Sequence, residues 1–126
     1  MRKSNMATYL SQLTSAWQNA IKQVNKLSSA GSQSTTIKTT ADKLFLLSEV
    51  EIFGSTSYSV SGEGTQYAYY KAGNSKVKNV SGSANNWWER SPYADNATYF
   101  CFVDSGGSAR YSNANYSCGV AFGFCV

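Results

Sequence analysis

The chain has 126 residues, a length that fits one domain with a single hydrophobic core. Its 42% hydrophobic and 14% charged residues and one proline are a globular composition and exclude a disordered chain. The net charge of +4 comes from scattered lysines (Lys22, Lys26, Lys38, Lys43, Lys71, Lys76 and Lys78), while Arg90 and Arg110 face Glu89, Asp95 and Asp104; without a clustered basic stripe, no specific nucleic-acid partner is expected.

The chain opens with a helical pattern. Met6, Leu10, Leu13, Trp17, Ala20, Ile21 and Val24 recur at three- and four-residue spacing and form one apolar stripe. Thr14 is suited to cap a fresh helix, so one bent helix and two short ones both fit. In either case the stripe packs on a sheet, and Trp17 is expected in the core. Leu27 to Thr40 is rich in Ser, Thr and Gln around Gly31, a composition of loop or irregular edge strand. Leu44-Phe45-Leu46-Leu47 reads as a short buried strand. Ser48 and Glu51 follow with capping-box spacing, so a helical turn starts there and Gly54 ends it.

Residues 55–86 read as a long loop broken by Gly62, Gly64, Gly73 and Gly82, with Tyr67, Tyr69 and Tyr70 clustered on one helical turn. The closing unit is β. Trp87-Trp88 opens a short strand that Pro92 ends. Thr98 to Asp104 alternates Tyr99, Cys101 and Val103 against Phe100 and Phe102, so this strand is central. Ser105-Gly106-Gly107 is a hairpin turn, and Ala109 to Asn113 pairs back. Gly119 to Val126 is the last strand, with Val120, Phe122, Phe124 and Val126 on one face and Ala121, Gly123 and Cys125 on the other.

No stretch approaches the roughly twenty apolar residues that span a membrane, so no membrane insertion is expected. Arg2 and Lys3 resemble a signal-peptide start, but Ser4, Asn5, Thr8, Ser11 and Gln12 interrupt any apolar region. Cytoplasmic synthesis followed by assembly into a particle or surface structure is the expected route.

Few groups suit catalysis. With no histidine, Ser-His-Asp and Cys-His arrangements are excluded. Glu49 and Glu51 lie on different sides of a helical turn, and Glu89 beside Arg90 reads as a surface or structural ion pair. The glycines of Gly62-Glu63-Gly64 and Gly106-Gly107 lack the lysine of a phosphate-binding loop. Three cysteines and no histidine make neither a zinc site nor a disulfide framework. Cys101 and Cys125 read as buried strand residues, and a bridge between them is open only in an oxidising space. Asn96-Ala97-Thr98 and Asn115-Tyr116-Ser117 match a short glycosylation sequon. In a strand, adjacent side chains point to opposite faces, so one of Trp87 and Trp88 enters the core while the other stays on the surface, or both are structural. Nine tyrosines supply rigid amphipathic contact area. The candidate ligand-binding residues are Trp88, Tyr93, Asp95, Asn96, Tyr99, Arg110, Tyr111, Asn113, Asn115 and Tyr116, on loops held by a sheet.

Leu44-Phe45-Leu46-Leu47-Ser48-Glu49-Val50-Glu51, Trp87-Trp88-Glu89-Arg90-Ser91-Pro92, Phe100-Cys101-Phe102-Val103 with Ser105-Gly106-Gly107, and Gly119-Val120-Ala121-Phe122 resemble a bacterial and phage domain of unknown function. That domain is marked by FLLS-x-x-E and WW-x-RSP motifs, and the similarity covers nearly the whole chain. The family resembles the C-type-lectin-like fold of the formylglycine-generating-enzyme branch, which includes the variable proteins of diversity-generating retroelements. The resemblance implies an α+β, C-type-lectin-like fold over residues 1–126: N-terminal helices packed on a small antiparallel sheet with long loops. It also implies that the chain begins inside the domain at Met1-Arg2-Lys3-Ser4, as the C-terminal part of a longer protein, with the first strand missing or supplied by another chain. The loops lack the calcium motifs of sugar-binding lectins, and no cofactor or metal is expected.

The expected function is non-enzymatic. A Tyr/Asn-rich loop surface would present itself to a protein or glycan receptor on a host cell, as in a retroelement variable protein or at the tip of a phage tail or adhesin, with an oligomer or parent-chain partner allowed. The alternatives are an oxidoreductase of the formylglycine-generating type using Cys101, Cys118 or Cys125, and a structural phage assembly domain.

Overall fold

A computed structural model of the chain describes residues 2–126, with side chains from Asn5 onward; Met1 and the side chains of the Arg2-Lys3-Ser4 piece lie outside the described residues. The N-terminal stripe folds as two helices, α1 (Arg2–Ser11) and α2 (Ser15–Ala20). Thr14 separates them because its hydroxyl accepts the Trp17 N–H, which caps α2 and makes the second start favourable. Ile21 then turns into extended backbone, so Val24 belongs to a strand and not to the helix. Trp17 is 49% exposed, edge-on against Phe124, and not in the core as its spacing implied. A six-residue helix that ends after Trp17 turns no residue of its own into the interior.

The polar stretch that reads as loop or irregular edge strand is a hairpin of two strands: β1 (Val24–Ser29) pairs antiparallel with β2 (Ile37–Asp42). Its turn runs through left-handed backbone at Gly31, Ser32 and Gln33. Only Lys26 and Ser28 of β1 are buried, so the strand is half-buried through polar side chains and its hydropathy gives no alternating signal. The apolar run yields β3 (Phe45–Leu46), paired with β9 (Phe122–Gly123). The contact is so close that a Cβ on Gly123 would lie 2.9 Å from the Phe45 ring. The capping box forms as expected: Ser48 and Glu51 cap α3 (Glu49–Phe53), and Gly54 closes it in the left-handed region at φ 74°.

A short helix and a two-stranded hairpin occupy the long glycine-rich segment. Helix α4 (Ala68–Lys71) carries Tyr69 and Tyr70, with Tyr67 at its N-cap. A small hairpin joins β4 (Lys78–Val80) to β5 (Ser83–Asn85) through Ser81-Gly82, both at positive φ. The closing sheet has the order β6 (Trp87–Pro92), β7 (Tyr99–Val103), β8 (Ala109–Asn113), with β7 central as its two apolar faces require. After β8 the expected long strand is reduced to β9, with single bridges from Gly119 to Trp87 and from Cys125 to Lys22. Phe122, Phe124, Cys125 and Val126 are exposed, so this segment lies along the surface and does not run through the core. The architecture is therefore mixed α/β, with small antiparallel sheets and few helices.

The hydrophobic core has two halves, one on each face of β6–β7. Trp88 pairs with Phe102 in register and joins Met6, Ile21, Leu44 and Leu46. Trp87 pairs with Val103 and joins Ile52 and Tyr70. The tryptophans do point to opposite faces, but both faces are covered, and they are 1% and 4% exposed. Trp88 is therefore core, which removes it from the exposed ligand surface expected of it.

Polar groups fasten the layers. The Arg90 guanidinium donates Nε to Leu27 O (2.9 Å), Nη1 to Leu46 O (2.9 Å) and Glu51 Oε2 (2.5 Å), and Nη2 to Glu63 O (2.7 Å). Lys26 reaches the other oxygen of Glu51 and lies over the Phe45 ring. Burial works against the Glu51 carboxylate, but Arg90, Lys26 and the Ser48 N–H outweigh it and lower its pKa below the usual value. A depressed folded pKa means that this contribution is present above the unfolded pKa and is lost as pH falls through the folded one. Arg90→Met leaves Glu51 buried with one cation instead of two, and is expected to cost about 3–5 kcal/mol in urea unfolding at neutral pH. Arg90→Lys restores little of this, because an ammonium cannot make the forked set of bonds; a wild-type midpoint for either variant would show that the network does not hold the fold.

Candidate functional site

The β6–β7–β8 sheet brings tyrosines together at one end. Tyr99 opposes Asn113, and Tyr111 sits two residues earlier on β8, so Tyr99 and Tyr111 are diagonal neighbours on one face. Tyr93 follows β6, and its N–H donates to Tyr99 O at 3.0 Å, which aims its ring back over the strand end. Tyr93 and Tyr111 stack with ring centroids 4.1 Å apart and planes 4° from parallel, and Tyr99 stacks beside both at 6.2 and 5.9 Å. Tyr58 meets Tyr111 edge-on at 5.0 Å and Tyr93 at 6.2 Å. Tyr111 is exposed and the other three are half-buried, so the cluster is a surface feature. The enclosing rings, then the Tyr111 phenol and the Asp95 carboxylate, raise the Tyr93 pKa above its ordinary value, so this hydroxyl stays a neutral donor and acceptor.

Polar groups frame this patch. Asn96 Oδ1 accepts from Thr98 N at 2.9 Å, which folds the β6–β7 loop into an Asx turn. Thr98 Oγ1 lies 3.1 Å from Asn113 Oδ1. Asp95 is exposed, and its carbonyl accepts from Gln33 Nε2 at 3.1 Å. Asn115 is exposed in the turn that leaves β8. The structure thus gathers Tyr93, Tyr99, Tyr111, Asp95, Asn96 and Asn113 at one end of the sheet.

Three of the residues singled out from the sequence lie elsewhere. Trp88 is in the core. Arg110 opposes Phe102, on the other face from Tyr111, and pairs with Asp104 at 3.3 Å. Tyr116 packs against Trp88 and Phe102, and its hydroxyl accepts from Asn86 Nδ2 at 3.1 Å. Tyr58, in contrast, belongs to the cluster although nothing local marks it. It arrives because buried Glu49 accepts hydrogen bonds from the N–H groups of Ser57, Tyr58 and Ser59 and from Ser59 Oγ, pinning that loop to α3. Three consecutive donors converging on one carboxylate are a tertiary arrangement that sequence spacing does not reveal.

Beneath the sheet lies a group of buried carboxylates. Glu63 accepts from Ser91 Oγ and from Ser29 N (2.7 Å). Burial raises its pKa despite these bonds and despite Arg90 nearby. Glu89 is 2% exposed, and neither of its oxygens has a hydrogen-bond partner. It is therefore not the partner of Arg90 that adjacency implied, because Arg90 is engaged by Glu51 across the strand. Burial, then Glu49 and Glu63, push its pKa well above the usual carboxylate range, so Glu89 is a neutral acid where an ordinary glutamate is ionised. All three cysteines are free, and Cys125 is exposed rather than buried in a strand or bridged to Cys101. Burial raises the Cys101 thiol and pushes Cys118 up to about 11, so both are protonated near neutral pH and poorly nucleophilic.

A family model described as "Domain of unknown function (DUF6273)" matches residues 3–126. No curated protein and no solved structure matches the chain.

Glu89 has a folded pKa above its unfolded one, so stability is greatest below the unfolded value and falls as pH rises toward the folded value. Glu89→Gln is therefore expected to stabilise the protein by more than about 1 kcal/mol near neutral pH, with the gain vanishing below about pH 4. Urea midpoints for both proteins between about pH 4 and pH 8 measure this; parallel profiles would mean that Glu89 is ionised and solvated.

Proposed function

The chain belongs to the DUF6273 family, and on that premise we propose that it is a non-enzymatic binding module whose contact surface is the tyrosine cluster at the end of the β6–β7–β8 sheet. The observation that carries this reading is the convergence of Tyr58, Tyr93, Tyr99 and Tyr111 from separate segments onto one exposed patch. A folding requirement alone gives no reason to place four phenols side by side at a sheet edge in water. Stacking the rings on one another removes their rotamer freedom before any partner arrives, so little entropy is lost on contact. The phenol hydroxyls suit a partner rich in hydrogen-bonding groups. Asp95, Asn96 and Asn113 at the margin add polar contacts of the same kind.

In this reading the partner is a protein or glycan receptor on a cell surface. The scaffold is a C-type-lectin-like domain used as in retroelement variable proteins or at the tip of a phage tail or adhesin, and Tyr93, Asp95, Asn96, Tyr99, Tyr111 and Asn113 form the adaptable part. The pairing of exposed, framework-held loops with a rigid sheet supports it.

The test is binding of the purified chain to a glycan array and to panels of intact bacterial and animal cells. Saturable binding to at least one target is expected, and the double variant Tyr93→Ala/Tyr111→Ala lowers it at least about tenfold. Its Tm is expected to stay within a few degrees of wild type, because these rings sit outside both core halves. Unchanged binding by the variant, or a Tm drop of more than about 10 °C, would return the tyrosines to a structural role.

A further inference from the structure

We infer that the chain carries a second binding site, a cleft on the opposite face of the sheet from the tyrosines, that takes a small, flat, neutral molecule with one hydrogen-bonding group. This inference goes beyond the surface-binding reading and does not depend on it. The cleft encloses about 690 Å³, a volume within the roughly 300–1,000 Å³ of small-molecule sites. Phe100 alternates with Tyr99 and Cys101 on β7, so it points away from the tyrosine cluster. With Trp88, Pro92 and Leu46 it forms an apolar wall, and the β1 end from Ser28 to Gly31 forms the facing side.

The polar feature is Ser28. It lines the cleft from β1, is 6% exposed, and its Oγ has no hydrogen-bond partner. Among the described residues, buried side-chain polar atoms without a partner occur only on Ser28 and Glu89. Glu89 also borders the cleft, but its carboxyl acts on Glu49, Glu63 and Cys101 beneath the sheet. A buried hydroxyl without a partner is costly, and a ligand group placed against it removes that cost.

The charge balance sets the ligand class. Arg90 lines the cleft, but its guanidinium is spent on Leu27 O, Leu46 O, Glu51 and Glu63 O. No cation among the described lining residues is left to pair with an anion, and an unpaired charge in such a cleft is strongly unfavourable. The ring-bearing walls favour a planar apolar body, and Ser28 Oγ favours a single donor or acceptor on it.

The experiment uses the whole chain and three probes of one shape: 2-naphthol, naphthalene and 2-naphthoate, followed by probe and tryptophan fluorescence. One-to-one saturable binding of 2-naphthol is expected, with naphthalene about fivefold weaker, the loss of one neutral hydrogen bond, and 2-naphthoate weaker again. Ser28→Ala brings 2-naphthol down to the naphthalene affinity and leaves Tm at or above the wild-type value, since the removed hydroxyl is buried without a partner. Ala114→Phe and Ala30→Phe, two exposed positions on the cleft wall, each obstruct all three probes, so misfolding of one variant leaves the other to decide. The Tyr93→Ala/Tyr111→Ala protein binds 2-naphthol as wild type does, which keeps this result separate from the tyrosine surface. Absence of saturable 2-naphthol binding, equal affinities for wild type and Ser28→Ala, or filling variants that still bind, each overturns the site.

Discussion

The fold depends on one buried cation. Arg90 leaves β6 and spends its guanidinium on two strand carbonyls, a loop carbonyl and a helix carboxylate, tying together β1, β3, α3 and the segment around Glu63. No apolar side chain could do this, because the groups being joined are hydrogen-bond acceptors that only a donor can satisfy. The neighbouring Ser91 extends the same seam by donating to Glu63 and accepting from Glu49 N. The two segments therefore meet in space: Leu46, Leu47, Glu49 and Glu51 of one are the partners of Arg90, or of its neighbour Ser91, in the other. The Leu44 to Glu51 and Trp87 to Pro92 segments carry the structural lock, and the proposed contact surface lies beyond them.

The lock explains why both faces of β6 are buried. With Arg90 anchored toward β1 and β3, Trp88 packs into the core half under α1. Trp87 faces the other half, and its indole N–H donates to Lys76 O at 3.0 Å. The sheet is thereby fixed from both sides near β6, while its other end is free to carry exposed tyrosines. A rigid base and an exposed margin are what a preorganised contact surface requires.

The buried carboxylates show how environment separates chemically identical groups. Glu51 has two cations and stays ionised. Glu49 is wrapped by three backbone N–H groups and a hydroxyl, and its role is to hold the loop bearing Tyr58. Glu89 has neither, and burial pushes its pKa well above the usual carboxylate range. Burial raises the pKa of Glu63 as well, but among these carboxylates only Glu89 lacks a hydrogen-bond partner, so its position marks a place where stability has not been maximised.

Local signals in the residues account for much of the architecture. The Thr14 cap, the Ser48–Glu51 capping box, the central β7 with its Ser105-Gly106-Gly107 turn, and the β6 start at Trp87 all rest on interactions within a few residues, so spacing alone determines them. The β1–β2 hairpin is legible only as loop or irregular edge strand, because its inward residues are polar, with Lys26 and Ser29 N held by Glu51 and Glu63 from far along the chain. Trp17 and the β9 segment were misplaced because an apolar side chain shows that it needs cover, not how much of the core remains to cover it. Within the candidate site, the alternation on β7 and β8 determined that Tyr99 and Tyr111 share a face. Only the tertiary structure decided that Tyr58 joins them, that Tyr116 and Arg110 turn away, and that Glu89 is left without the arginine beside it. Neighbours in sequence point in opposite directions along a strand, and the partner of a buried charge is whatever the packing of distant segments brings within reach.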